Sequence, residues 1–139
     1  MKYGEITSGE IDALWDLQKR YKAEIGEGEP DEEGKERLAA AMDRGAISFY
    51  GVRDGDTLTG CCSVTAGFST FDYMPSGVLE DLYILPEYRH QGIARQLVGF
   101  AYRKSGVSTL TAGCADCDVR MYRSLGFTAV LGNLLAYKG

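Results

Sequence analysis

Arg89, Gly92, Ala94 and Arg95 fall in a short stretch, RHQGIAR, where a strand pattern gives way to a helix pattern. The preceding VLEDLYIL reads as a strand that Pro86 ends. From Gly92 onward, Ile93, Leu97, Phe100 and Ala101 fall on one helical stripe. The first N–H groups of a helix have no partner within it. The helix dipole adds roughly half a positive charge at that end. A glycine there lets the loop backbone close around an anion. With Arg89 and Arg95 on either side, the junction reads as a pyrophosphate cradle. The other reading is an ordinary strand-to-helix turn with surface arginines. No G-K-[ST] follows, so it is not a P-loop, and G-x-G-x-x-G is absent, so it is not a dinucleotide fingerprint.

Four cysteines are the other candidates for chemistry: Cys61, Cys62, Cys114 and Cys117. The last two form one C-x-x-C, and His90 is the sole histidine. A four-ligand zinc site would have to recruit the adjacent pair Cys61/Cys62. The expectation is therefore no metal, and four reduced, mostly buried thiols.

These residues need a scaffold, and 139 residues suffice for one domain spanning 1–139. Apolar residues make up 45%, a globular composition. The net charge of −5 argues against a partner read through its phosphate backbone, so no nucleic acid is expected. No apolar run approaches the roughly 18 residues of a membrane span, so no membrane partner is expected. The start, MKYGEITSGEI, lacks the apolar core of a secretory signal. The expected compartment is the cytoplasm.

Residues 2–7 suit a short strand, and Ser8 a helix cap before Ile11, Leu14, Trp15 and Leu17. Residues 24–36 hold seven carboxylates against Lys35, and Asp31 caps a second helix that stops at Gly45. AISFYGVRD and TLTGCCSVTAGFSTF are strands joined by a DGD hairpin turn. STLTAGC is a further strand, and DVRMYRSLG a helix closed by Gly126. FTAVL and LLAYK read as a final hairpin around Gly132-Asn133. The order β-α-α-β-β-β-α-β-α-β-β predicts a mixed sheet with helices against it.

The stretch R-x-x-G-x-A, Arg89 to Ala94, resembles the cofactor motif of the GNAT N-acetyltransferase superfamily. A second stretch, VRMYRSLGF over residues 119–127, resembles the segment that closes the acetyl-CoA site in that family. The likeness is strong over 78–127 and architectural before it. It implies an α/β (α+β) GNAT fold: a mixed, mostly antiparallel sheet of six to seven strands flanked by about four helices. It also implies an acetyl-CoA-dependent N-acetyltransferase. The amides of His90, Gln91, Gly92, Ile93, Ala94 and Arg95 would bind the pyrophosphate of coenzyme A. Leu82, Tyr83 and Ile84 would pair with the pantetheine arm as an added strand does. Family members often place asparagine where this chain has Ala115, so that contact must come from backbone or a neighbour.

The resemblance also assigns the chemistry. Tyr122 sits at the general-acid position, and a phenol with a pKa of about 10 stays protonated to supply the leaving thiolate. Glu80 takes the position of the family's glutamate base. Strict alternation would put Glu80, Leu82 and Ile84 on one face and Asp81, Tyr83 and Leu85 on the other. Asp81 would then bind the amine or relay water. The LED before the motif is similar to the spermidine/spermine (diamine) acetyltransferase branch, and carboxylates at 24–36 would attract a cationic amine. The expected acceptor is a small cationic amine, with peptide or protein amines as the alternative. A non-catalytic acyl-CoA sensor is a further alternative. The apolar final hairpin also suits a homodimer.

Overall fold

A computed structural model describes residues 1–139. Its centre is one sheet of five strands in the order β1-β2-β3-β4-β5. These are Lys2–Ile6, Ser48–Asp54, Thr57–Ser69, Met74–Ile84 and Thr109–Thr111. The first four run antiparallel, and β5 runs parallel to β4. Helices α1 (Ile11–Glu24), α2 (Glu32–Asp43), α3 (Ile93–Ser105) and α4 (Val119–Leu125) surround the sheet. No helix is long and apolar enough to cross a membrane.

The two faces of the sheet bury different helices. On β3, Cys62 and Val64 pack with α3 residues Ile93, Leu97, Val98 and Ala101. Cys61 packs on the opposite face with Leu14 and Leu17 of α1. Period-two alternation thus sorts β3 between the two cores.

Local signals work much as the residue types predict. The Asp31 carboxylate accepts the Gly34 N–H at 2.8 Å and caps α2. Gly45, at φ +75°, closes that helix, and Gly126, at φ +115°, closes α4. Ser8 is not the cap of the first helix. Its hydroxyl donates to Asp43, while Thr7 and Glu10 form the turn ahead of α1.

The C-terminal hairpin does not form, so the sheet has five strands rather than six or seven. Val130, Leu131, Leu134, Leu135 and Tyr137 are 72–96% exposed. Across a two-residue turn Phe127, Ala129, Leu131, Leu134 and Ala136 would share one face and Val130, Leu135 and Tyr137 the other, so both faces are apolar and no polar side marks which is to be exposed. A lone two-stranded hairpin is marginal in water. β5 is also shorter than its sequence run and pairs with β4 at three positions.

Candidate active site

β4 and β5 pair at Ser76–Thr109, Gly77–Leu110 and Val78–Thr111. Beyond Val78 the same edge of β4 has no strand partner, which opens a gap in the sheet. Antiparallel pairing decides which main-chain groups face it. Leu85 N–H donates to Thr59 C=O at 2.9 Å on the β3 side. Residues two apart share an edge, so Tyr83 also faces β3, while Leu82 and Ile84 face the gap. The Ile84 carbonyl is already taken, accepting from Arg89 Nε at 2.8 Å. Leu82 N–H and C=O and Ile84 N–H remain for a strand-like ligand. Of the three residues expected to hold the pantetheine arm, Tyr83 is the one whose main chain faces β3 and not the gap.

A bulge overturns the expected alternation on β4. Ser63 pairs with Asp81, but the next β3 residue, Val64, pairs with Leu79, so Glu80 is the extra residue. Leu79 therefore joins the α3 face. Asp81 faces the α1 side with Ser63. The exposed Glu80 accepts from Thr65 Oγ1 at 2.9 Å, and Thr65 lies two residues from Ser63 on that same face. Glu80 and Asp81 thus share one face and are not on opposite sides. Burial raises the Asp81 pKa, with Glu80 and Glu27 adding to the rise, against the hydrogen bond from Ser63 and the charge of Lys22.

Across the gap stands Tyr122 on α4. Its ring meets Phe127 edge-on at 5.7 Å and packs against the α3-side core. Its pKa is raised, by burial first and then by Tyr21, Cys114, Asp118 and Asp81. Tyr21 and Asp81 lie on the α1 side, so the phenol senses both faces where the strands part. Ala115 precedes a short turn, Asp116–Asp118, and is exposed. Cys114 and Cys117 are exposed, contrary to the expectation of mostly buried thiols. Cys61 and Cys62 are buried, and burial pushes the Cys62 thiol up to about 12.

α3 begins at Gly92 with φ +78°, and no side chain caps it. Its first turn has no acidic residue, unlike those of α1 and α2. The free N–H groups of this end and its dipole are left for an external anion. A Cβ at Gly92 would meet nothing within 4 Å, so the space before the amides is open. His90 has φ +62°, a left-handed conformation that glycine would adopt without strain. The two arginines are partly used within the chain. Arg89 lies 2.9 Å from the Glu24 carboxylate and over the Tyr83 ring. Arg95 donates to the Ser124 carbonyl and ties α3 to the end of α4.

Residues 45–129 match the family model of the acetyltransferase (GNAT) domain. The chain belongs to the GNAT acetyltransferases. A search of curated proteins finds no match. Among solved structures, a probable acetyltransferase superposes with a TM-score of 0.83 at 22% identity over 100% of both chains. An aminoglycoside acetyltransferase from an uncultured soil metagenomic sample, in complex with sisomicin, gives 0.81 at 16% identity, over 99% of this chain and 95% of that one. A predicted acetyltransferase from Clostridium acetobutylicum, with acetyl-CoA, gives 0.74 at 14%, over 98% and 95%. At these identities the likeness is one of fold.

Beside the β4 carboxylates of this N-acetyltransferase stand residues that the sequence alone did not single out. Ser63 and Thr65 each hold a β4 carboxylate. Tyr21 lies between Tyr83, at a ring distance of 6.0 Å, and the Asp81 and Glu27 charges. The alternation of β3 was a readable signal for Ser63. No sequence signal marked the bulge that brings Glu80 round beside it.

Proposed function

We propose that this acetyltransferase moves an acetyl group from acetyl-CoA to the primary amine of a small cationic molecule. The observation that carries this reading is the Asp81 carboxylate on β4, near enough for its charge to raise the Tyr122 phenol pKa, with Glu80 next to it at the bulge beyond the last β4–β5 pair. Acetyl-CoA supplies the activated acyl group as a thioester. The amides of His90, Gln91, Gly92, Ile93, Ala94 and Arg95 bind its pyrophosphate, which fits the uncapped, acid-free start of α3. Leu82 and Ile84 align the pantetheine arm through main-chain groups. Backbone near Ala115 serves where a side chain cannot.

The β4 carboxylates handle the amine as a pair. At pH 7 removing a proton from a primary ammonium costs about 4–5 kcal/mol. Asp81 anchors the ammonium and receives that proton, since burial makes it more basic than an exposed carboxylate. Glu80, held by Thr65 at the exposed side, draws in the cation and passes the proton to solvent. Glu27, close enough to act on Asp81 and Tyr21, extends the negative field toward the 24–36 loop. Tyr122 stays protonated and donates to the leaving thiolate. The exposed Val130, Leu131, Leu134, Leu135 and Tyr137 are where we place the homodimer contact.

The test is CoA release from acetyl-CoA over a panel of polyamines, amino acids, an aminoglycoside and a peptide. Turnover with a small cationic amine, lost in Tyr122→Phe, supports the reading. Turnover with the peptide alone would replace the acceptor class. A variant lacking Cys114 and Cys117 controls for reaction of the exposed thiols with the reporter.

A further inference from the structure

Three polar residues are buried: Gln18, Thr59 and Ser63. Thr59 donates to the Val52 carbonyl and Ser63 to Asp81. The Gln18 side chain, in a residue 8% exposed, has no such bond within the chain. A buried amide is costly without a partner, so its polar end is left for water or a ligand. Gln18 stands on the inward face of α1, with Tyr21 and Lys22 three and four residues further on. This strip lies against the β4 carboxylates. The Tyr21 ring is 6.0 Å from the Tyr83 ring, and the charge of Lys22 acts on Asp81.

The end of α1 adds the opposite charge. Gly26, at φ +77°, closes the helix in a Schellman motif. Glu27 N–H donates to Lys22 C=O at 2.9 Å, and Gly26 N–H to Ala23 C=O at 3.2 Å. The motif folds Glu27 back over the last turn, where its carboxylate meets Lys22 Nζ at 3.0 Å. Lys22 Nζ also lies 5.7 Å from the centre of the Tyr21 ring. A cation and an anion are thus fixed side by side within reach of Asp81. Of the charges that act on Asp81, Lys22 is the cation, and Glu80 and Glu27 are the anions. A simple polyamine complements the anions but is repelled by Lys22. The head of an α-amino acid carries ammonium and carboxylate on one carbon. It complements both members of the Lys22–Glu27 pair.

We propose that the acceptor is a diamino acid whose carboxylate docks on Lys22 and Gln18, whose α-ammonium docks on Glu27, and whose side-chain amine reaches Asp81. The proposal rests on the reading of Asp81 and Tyr122 given above. It keeps the acceptor cationic, because two ammonium groups outnumber one carboxylate. The side-chain nitrogen gives a proton to Asp81 and attacks the acetyl carbonyl. The C–N bond forms, the C–S bond breaks, and the CoA thiolate leaves with the Tyr122 proton. The second proton released by the nitrogen restores Tyr122. The product is a side-chain amide with its α-amine free.

The test uses pairs that differ only by the carboxylate: lysine against cadaverine and ornithine against putrescine, each with saturating acetyl-CoA and the full chain. The wild type should favour each amino acid over its diamine by about tenfold or more in kcat/KM. NMR of the product should place the acetyl group on the side-chain nitrogen. Lys22→Gln should raise KM for lysine and lower it for cadaverine, closing the preference from both sides. Lys19→Gln, whose partner is Glu29, should keep the preference. Equal or better use of the diamines by the wild type would overturn the proposal and leave the small cationic acceptor standing. So would acetylation of the α-nitrogen, or a loss of the same factor for both substrates in Lys22→Gln, which marks damage to the fold and not a carboxylate contact. An enzyme that ignores both pairs but acetylates another amine overturns this inference alone. One that acetylates no amine removes the reading on which it rests.

Discussion

Ser63 and Asp81 are bonded to each other twice across β3 and β4. The Ser63 hydroxyl donates to Asp81 Oδ2 at 2.7 Å, and the Asp81 N–H donates to the same hydroxyl oxygen at 3.1 Å. Ser63 is 0% exposed, so water cannot replace it without rearrangement. The pair fixes the carboxylate at the point where the bulge begins. Lys22 and Glu27 from the α1 side, Glu80 from β4 and Tyr122 from α4 all act on the same spot.

Ser63→Ala removes a donor that favours the charged form of Asp81. The Asp81 pKa should then rise further, and a higher pH is needed to ionise it. The acidic limb of kcat/KM against pH should move upward by about one pH unit. A variant that was only less stable would lose activity at every pH without moving the limb. An unmoved limb would mean that the profile reports another group.

Asp81→Asn should trade activity for stability. Burial raises the Asp81 pKa in the folded state above its unfolded value. Between those two values the native state binds more protons than the unfolded one, so stability falls as pH rises. The cost is complete above the folded pKa. The amide carries no charge and keeps an oxygen for Ser63. Asp81→Asn should melt above the wild type at pH 7, with the difference shrinking toward pH 4, and lose at least tenfold in kcat/KM. Glu80→Gln, exposed, should leave the melting curve unchanged within error.

His90→Gly tests strain at the cofactor loop. A left-handed conformation costs a residue with a Cβ about 1–2 kcal/mol. Glycine gives back part of that gain through unfolded-chain entropy. The net expectation is a variant more stable by about 0.5–1 kcal/mol, read as a higher Tm. A lower Tm would show that the His90 side chain makes contacts that outweigh the strain.

Much of the fold was legible because its signals are local. Asp31, Gly45, Gly92 and Gly126 act through their own backbone or the next turn, and each does what its residue type suggests. The site was legible in its residues but not in its geometry. Glu80 and Asp81 were both singled out, yet alternation set them on opposite faces. A bulge is a property of two paired strands, and nothing in VLEDLYIL alone announces one. Arg89 and Arg95 looked alike in sequence. Only packing reveals that Glu24 and the Ser124 carbonyl engage them. The final hairpin failed for the converse reason: Gly132-Asn133 is a good turn signal and its flanks are apolar on both faces, but a local pattern cannot supply the partner against which they would be buried.

Tyr122→Phe keeps the ring and removes the proton. The edge-on contact with Phe127 and the packing against the α3-side core involve ring atoms, so Tm should hold. Burial, reinforced by Tyr21, Cys114, Asp118 and Asp81, lifts the phenol above its ordinary value. It therefore stays protonated throughout the neutral range, and its own ionisation should not shape the profile there. The loss on removing it should be a constant factor of about 10²–10⁴ in kcat between pH 6 and 9. KM for acetyl-CoA should change little, because the anion-binding end of α3 and the β4 edge are untouched. A thioester with a far more acidic thiol leaving group needs less protonation on departure, so the deficit should narrow with it. A deficit of the same size with both donors would mean that Tyr122 acts on packing or acceptor binding and that the thiolate takes its proton from water.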